Sequence, residues 1–183
     1  MKRGHDALRD SDVLLANAAW RGVVVEPVLA PADDQQMRPQ LQADWMARGV
    51  WESGRVAFFD NRIVDADAPC YSAAHLSWEA VSNKAAAEKK RKYGTTVEEL
   101  RASITPLVCS TDGALHREYD AFQKRLASRL AEKWDKPYSV VRGWVKTKTQ
   151  FAIMHQVSGP LTTRHSAKDL RSGSGAAFGL ASY

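Results

Sequence analysis

The chain has 183 residues, six of them tryptophan and 44% hydrophobic, which suffices for one packed domain and is short for two. No run approaches the roughly 20 apolar residues of a membrane helix, and Met1 to Asp6 lack the apolar core of a secretory signal, so a protein of the nucleus or cytoplasm is expected. Cys70 and Cys109 stand in unrelated contexts that make neither a disulfide framework nor a zinc site, and the formal charge of +5 admits a polyanionic partner without requiring one.

In chain order, His5 to about Ala19 reads as a helix with one apolar face, ending near Trp20-Arg21-Gly22. Val23-Val24-Val25 predicts a short buried strand before Pro27. Pro27, Pro31 and Pro39, with Asp33 and Asp34 between, predict a loop. From Leu41 the period becomes two, with Ala43, Trp45 and Ala47 on one face and Asp44 and Met46 on the other. After a turn over 49–54, Arg55 to Val64 is the strongest strand of the sequence and pairs with the preceding one as a hairpin.

A loop from Asp65 to about Ser72 leads to a helix from Ser77, its predicted N-cap, to about Lys92, which Gly94 is expected to interrupt. Glu98 to Ala102 adds a helical turn. Ile104 to Ser110 predicts another buried strand whose first half, at Pro106, lies at an edge. Beyond the Asp112-Gly113 turn, Tyr119, Phe122, Leu126 and Leu130, with Trp134 a turn on, define a long amphipathic helix. Asp135-Lys136-Pro137 breaks it, and a last helix covers Tyr138 to about Val157. Residues 1–160 thus form one domain, and 161–183 a flexible tail rich in Ser, Gly and Ala. The fold class is α/β or α+β, with a central mixed sheet of about four strands, flanking helices and a helical C-terminal part.

The hairpin brings Asp44 and Asp60 near one another. Two close carboxylates raise each other's pKa unless a cation lies between them, which makes such a pair a natural divalent metal site; Mg²⁺ needs few protein ligands. Against this, an Asp at a strand end also caps turns or faces solvent. Phe58, Asp60 and Arg62 share one strand face and Phe59, Asn61 and Ile63 the other. Asp60 and Arg62 are either a metal ligand beside a phosphate-neutralising cation or a simple ion pair. Asn61 falls on the buried face, where an unpartnered amide costs roughly 1–3 kcal/mol.

The basic cluster of Lys84, Lys89, Lys90, Arg91 and Lys92 is either a solvated helix face or a phosphate-facing surface. Lys89 and Lys92 lie on one side and can point at the acids with Tyr93, whereas Lys90 lies away; Glu88 and Lys92 are spaced as an intrahelical pair. The five histidines show no ligand spacing, and no Gly-rich phosphate loop is present.

Ala43-Asp44-Trp45-Met46-Ala47-Arg48-Gly49, Phe58-Phe59-Asp60-Asn61-Arg62-Ile63, Glu88-Lys89-Lys90-Arg91-Lys92-Tyr93 and Thr105-Pro106-Leu107-Val108 follow one another in an order that resembles a domain of eukaryotic retroelement open reading frames. That domain lies downstream of a reverse transcriptase and has the restriction-endonuclease-like, or PD-(D/E)XK, fold. With His5 to Asp10, Glu26-Pro27, Arg125-Leu126-Ala127, Tyr138-Ser139 and Trp144, the resemblance covers about residues 5–160. It implies that Asp44 and Asp60 are the two metal-binding acids, holding Mg²⁺ or Mn²⁺. It also implies that Lys89 or Lys92, from the following helix, replaces the usual strand lysine, where this chain has Arg62.

The expected activity is metal-dependent endonucleolytic cleavage of DNA, with catalytic Asp44, Asp60, Lys89 and Lys92. Arg62, Lys84, Lys90, Arg91 and Tyr93 are the expected nucleic-acid contacts. DNA or RNA, and a reverse transcriptase of the same element, are the expected partners. Arg62 is a poor water activator because it stays protonated. Asn61 and Trp45 also depart from the expected neighbours of the acids. The alternatives are an inactive nucleic-acid-binding module of the same fold and a structural or protein-interaction domain.

Overall fold

Leu8, Leu15, Ala16 and Ala19 recur on one side of the opening helix α1 (Arg3–Ala19) and are buried. In the computed structural model, which describes residues 3–32, 39–72 and 75–158, α1 is followed by β1 (Val24–Val25), β2 (Val28–Ala30), β3 (Leu41–Gln42), β4 (Trp45–Arg48) and β5 (Val56–Val64). Then come α2 (Pro69–Ser72), α3 (Trp78–Glu99), β6 (Ser103–Ser110), α4 (Arg117–Trp134) and α5 (Tyr138–Ser158). Residues 161–183, expected as a tail, lie outside the described residues.

The fold is α+β, built on a mixed four-stranded sheet ordered β1-β4-β5-β6. β4 and β5 form the hairpin, with Trp45 opposite Phe59 and Arg48 opposite Val56. β5 and β6 run parallel, Asp60 opposite Pro106, and the chain between them carries α3 across the sheet as a crossover. Alternation along β5 sorts its side chains. Ala57, Phe59 and Ile63 join Trp45, Leu107 and Cys109 against α1, α4 and α5, while Phe58 and Val64 face α3 with Val81, Tyr93 and Val97. The sheet therefore lies between two helical layers. Trp45 stacks on Phe59 at 4.0 Å, and Phe122 of α4 closes on both.

Several expectations are corrected. Val24 and Val25 are not buried but 42% and 44% exposed, because β1 is the sheet's edge. The proline-rich loop contains β2, which pairs with β3 in a separate two-stranded ribbon, and the loop after β5 holds the short α2. Gly94 does not interrupt α3. Tyr93 and Val97 on either side of it are buried, and their packing outweighs the roughly 1 kcal/mol a mid-helix glycine costs. The chain leaves α3 instead at Arg101, with φ of 51°. Ser77 caps α3 as expected, accepting the Ala80 N–H at 3.3 Å. No helix among the described residues is long and apolar enough to cross a membrane.

Candidate active site

Asp60 is placed by the middle of β5, on the side covered by α3, and its residue is only 2% exposed. A carboxylate so deep requires a charged or hydrogen-bonding partner, and α3 supplies both. Lys89 Nζ lies 2.6 Å from Asp60 Oδ1, and the Tyr93 hydroxyl lies 2.5 Å from Asp60 Oδ2. Lys89 and Tyr93 are one helical turn apart, so both reach the same residue. Asp60 Oδ1 is buried and accepts no hydrogen bond of regular geometry, so the Lys89 ammonium is its counter-charge.

The Tyr93 oxygen also meets the Gln42 carbonyl at 2.9 Å and accepts from Lys92 Nζ at 2.9 Å. Its single proton goes to the closer, charged acceptor on Asp60. Burial, reinforced by Asp60 and then Asp44, pushes the Tyr93 phenol far above its ordinary range. Tyr93 is a neutral donor at any ordinary pH. At 1% exposure it is a floor of the site and not the nucleic-acid-facing residue the sequence suggested.

Asp44 lies one residue before the Trp45–Phe59 pair, which brings it beside Asp60, and its N–H bonds the Phe59 carbonyl at 3.2 Å. Its Oδ2 accepts the Asn61 backbone N–H at 2.6 Å, taking the place of a ladder carbonyl where β4 separates from β5. The two carboxylates thus flank one peptide unit, Asp60-Asn61, and both act on the Tyr93 phenol.

The remaining basic residues divide. Lys92 does not touch Asp60; its ammonium sits 4.5 Å from the centre of the Tyr93 ring. Arg62 pairs with Glu88 at 2.6 Å, which corrects both the Asp60–Arg62 pair and the Glu88–Lys92 pair and holds the Glu88 carboxyl below its usual range. A charge-assisted hydrogen bond from Arg62 Nη1 across to α3 outcompetes an intrahelical pair worth a few tenths of a kcal/mol. Lys90 turns away, as expected, to Glu118 at 2.8 Å. Lys84 and Arg91 are exposed, with Glu88 the acid they act on.

Asn61 is not an unsatisfied amide. Its Nδ2 donates to Asp12 Oδ2 at 2.7 Å, and its Oδ1 accepts from Trp45 Nε1 at 3.1 Å. Tyr119 donates to the same Asp12 oxygen at 2.7 Å. Burial pushes the Asp12 carboxyl up to about 7 against the pull of these two donors, and it raises the Tyr119 phenol and the Cys109 thiol as well. The sequence reading missed Asp12. Its signal was an acid at the spacing of Leu8, Leu15 and Ala19, on the apolar stripe of α1.

Oxygen donors are the kind a hard divalent cation takes, and Asp44 and Asp60 bring two carboxylates to one peptide unit, with one Asp60 oxygen held by the Lys89 ammonium. Among the described residues no group of three or more His, Cys, Asp or Glu side chains gathers as a ligand set, which leaves Asp44 and Asp60 as the protein ligands such an ion would have. No protein-family model matches the chain, and no curated protein matches it.

Proposed function

We propose that the chain is a metal-dependent endonuclease-like domain of restriction-endonuclease-like fold and mobile-element origin, acting on DNA phosphodiester bonds. The observation that carries the reading is the meeting of Lys89 with Asp60 at 2.6 Å, beside Asp44. A helix-borne lysine beside the second acid is what the retroelement resemblance implies, and nothing in helix periodicity alone required Lys89 to end there. Of the two candidate lysines, Lys89 takes the role and Lys92 supports Tyr93.

Mg²⁺ or Mn²⁺ would be held by Asp44 and Asp60 and would supply Lewis acidity toward water and phosphate. The chain's own contribution is positioning. The Asn61 N–H fixes one oxygen of Asp44, and the Tyr93 hydroxyl fixes one oxygen of Asp60. Lys89 offers a cation to the negative charge that develops on phosphate. Lys84 and Arg91 on the exposed side of α3 are free to meet the DNA backbone, with Lys90 next to them shared with Glu118. A reverse transcriptase of the same element is the partner this origin suggests.

The deep, ion-paired state of Asp60 favours one second reading, a binding module that has lost cleavage. Plasmid nicking with Mg²⁺ or Mn²⁺ tests both. Wild type should nick, while Asp60→Ala and Lys89→Ala should lose about 10²-fold or more, and Lys92→Ala much less. Nicking that persists in Asp60→Ala refutes the nuclease. Absence of nicking, together with DNA affinity that falls steeply with salt, selects the binding module.

A further inference from the structure

We propose that the outer face of α5 is a docking seam for an amphipathic helix of another protein that carries acidic residues along its flanks. The proposal is independent of the nuclease reading. It rests on α5 being apolar on two opposed sides. One side, Val141, Val145, Ala152 and Ile153, is buried against α1 and α4. The other presents Val140, Trp144, Phe151 and Met154 to solvent, at 59%, 39%, 53% and 54% exposure. A helix at a protein surface ordinarily shows one apolar stripe, and a second, opposite one marks a helix meant to be covered from both sides.

The spacing says what shape covers it. Val140, Trp144, Thr147, Phe151 and Met154 recur at steps of four, three, four and three, the 3.5-residue period of a coiled-coil seam. Trp134 of α4, 37% exposed, meets Trp144 edge-on at 5.3 Å and broadens one end of the seam. A seam this narrow accepts another helix. A lipid surface takes a broad apolar arc with a charged arc opposite, and the arc opposite this stripe is buried core.

Charge says which helix. Tyr138–Ser158 contains no Asp or Glu, while Lys148 borders the stripe with its ammonium 5.8 Å from the centre of the Trp144 ring. Lys146 lies toward Asp120, on which it acts, and Arg142 is already held by Asp120 and Gln123, so Lys148 carries the charge beside the seam. A second copy of this face would set lysine against lysine. Residues 159–183 carry Arg164, Lys168 and Arg171 against the single acid Asp169, so they too match the charge poorly. An acidic flank complements it.

The test uses the full chain and a synthetic three-heptad peptide with Leu at its seam positions and Glu on its flanks, alongside a twin with Lys for Glu. Titration calorimetry should show the Glu peptide binding roughly tenfold or more tighter than the Lys twin, and Phe151→Glu or Val140→Glu should remove the binding. Both sites are exposed, so both variants should keep the wild-type melting temperature. Equal binding of the two peptides, or binding of neither, overturns the proposal. So does a dimer in sedimentation that Phe151→Glu dissociates, or sedimentation with phosphatidylserine vesicles in the absence of peptide binding.

Discussion

Asp12 should make this protein lose stability as pH rises through a range in which most proteins gain it. The carboxyl is fully buried on the far side of the sheet from the candidate site, and its folded-state value is about 7 against an ordinary 3.8. Between those values the unfolded chain has released the proton and the folded chain retains it. The folded state therefore binds more protons, and stability falls as pH rises across that window. At roughly 1.36 kcal/mol per pH unit the interval caps the effect near 4 kcal/mol. Asp12→Asn keeps an oxygen to accept from Tyr119 and Asn61 and removes the titration. Urea unfolding followed by tryptophan fluorescence at about pH 5 and about pH 8 should show wild type losing stability and the variant holding its own, with the difference between them growing toward the cap. Parallel pH profiles for the two proteins would refute the account of Asp12.

Gly94→Ala should stabilise by about 0.5–1 kcal/mol in chemical denaturation, because the position is helical and an added Cβ meets nothing within 4 Å. Tyr93→Phe should cost about 1–3 kcal/mol in urea unfolding, since Asp60 Oδ2 loses its hydroxyl donor. Lys89→Met leaves Asp60 charged and buried without its counter-ion. It should destabilise by about 3–5 kcal/mol, measured as a fall in urea midpoint, whereas Lys92→Met should cost much less. Arg62→Ala, at a half-exposed and solvent-screened pair, should leave the urea midpoint close to that of wild type.

The hairpin that holds Asp44 and Asp60 was legible because period-two alternation from Ala43 to Ala47 and along Val56 to Val64 leaves one register that buries Trp45 with Phe59. The same alternation put Asp60 toward α3 and Asn61 toward the opposite core. Helix periodicity likewise separated Lys89 from Lys90. What could not be read is what depends on elements far apart in sequence. Arg62 chose Glu88 over Asp60, and Asn61 found Asp12, 49 residues away. The exposure of Val24 and Val25 followed from their place at the sheet's edge, which no local pattern encodes. Gly94 misled because a weak local preference was weighed without the buried Tyr93 and Val97 beside it.

The two margins of the main sheet bear on whether a neighbouring chain can extend it. An open strand edge offers unpaired N–H and C=O groups to any neighbouring chain. On one side β1 is only two residues long, and Glu26, with φ of 52°, followed by Pro27 turns the chain away at once. On the other, Pro106 presents no N–H midway along β6, and the strand's last part is occupied by backbone bonds from Ser110 to Ala114 and from His116 to Val108. Both margins are thus poor templates for aggregation by strand addition. Any association of this domain is directed away from its backbone and toward side chains, which can be selective about what they accept.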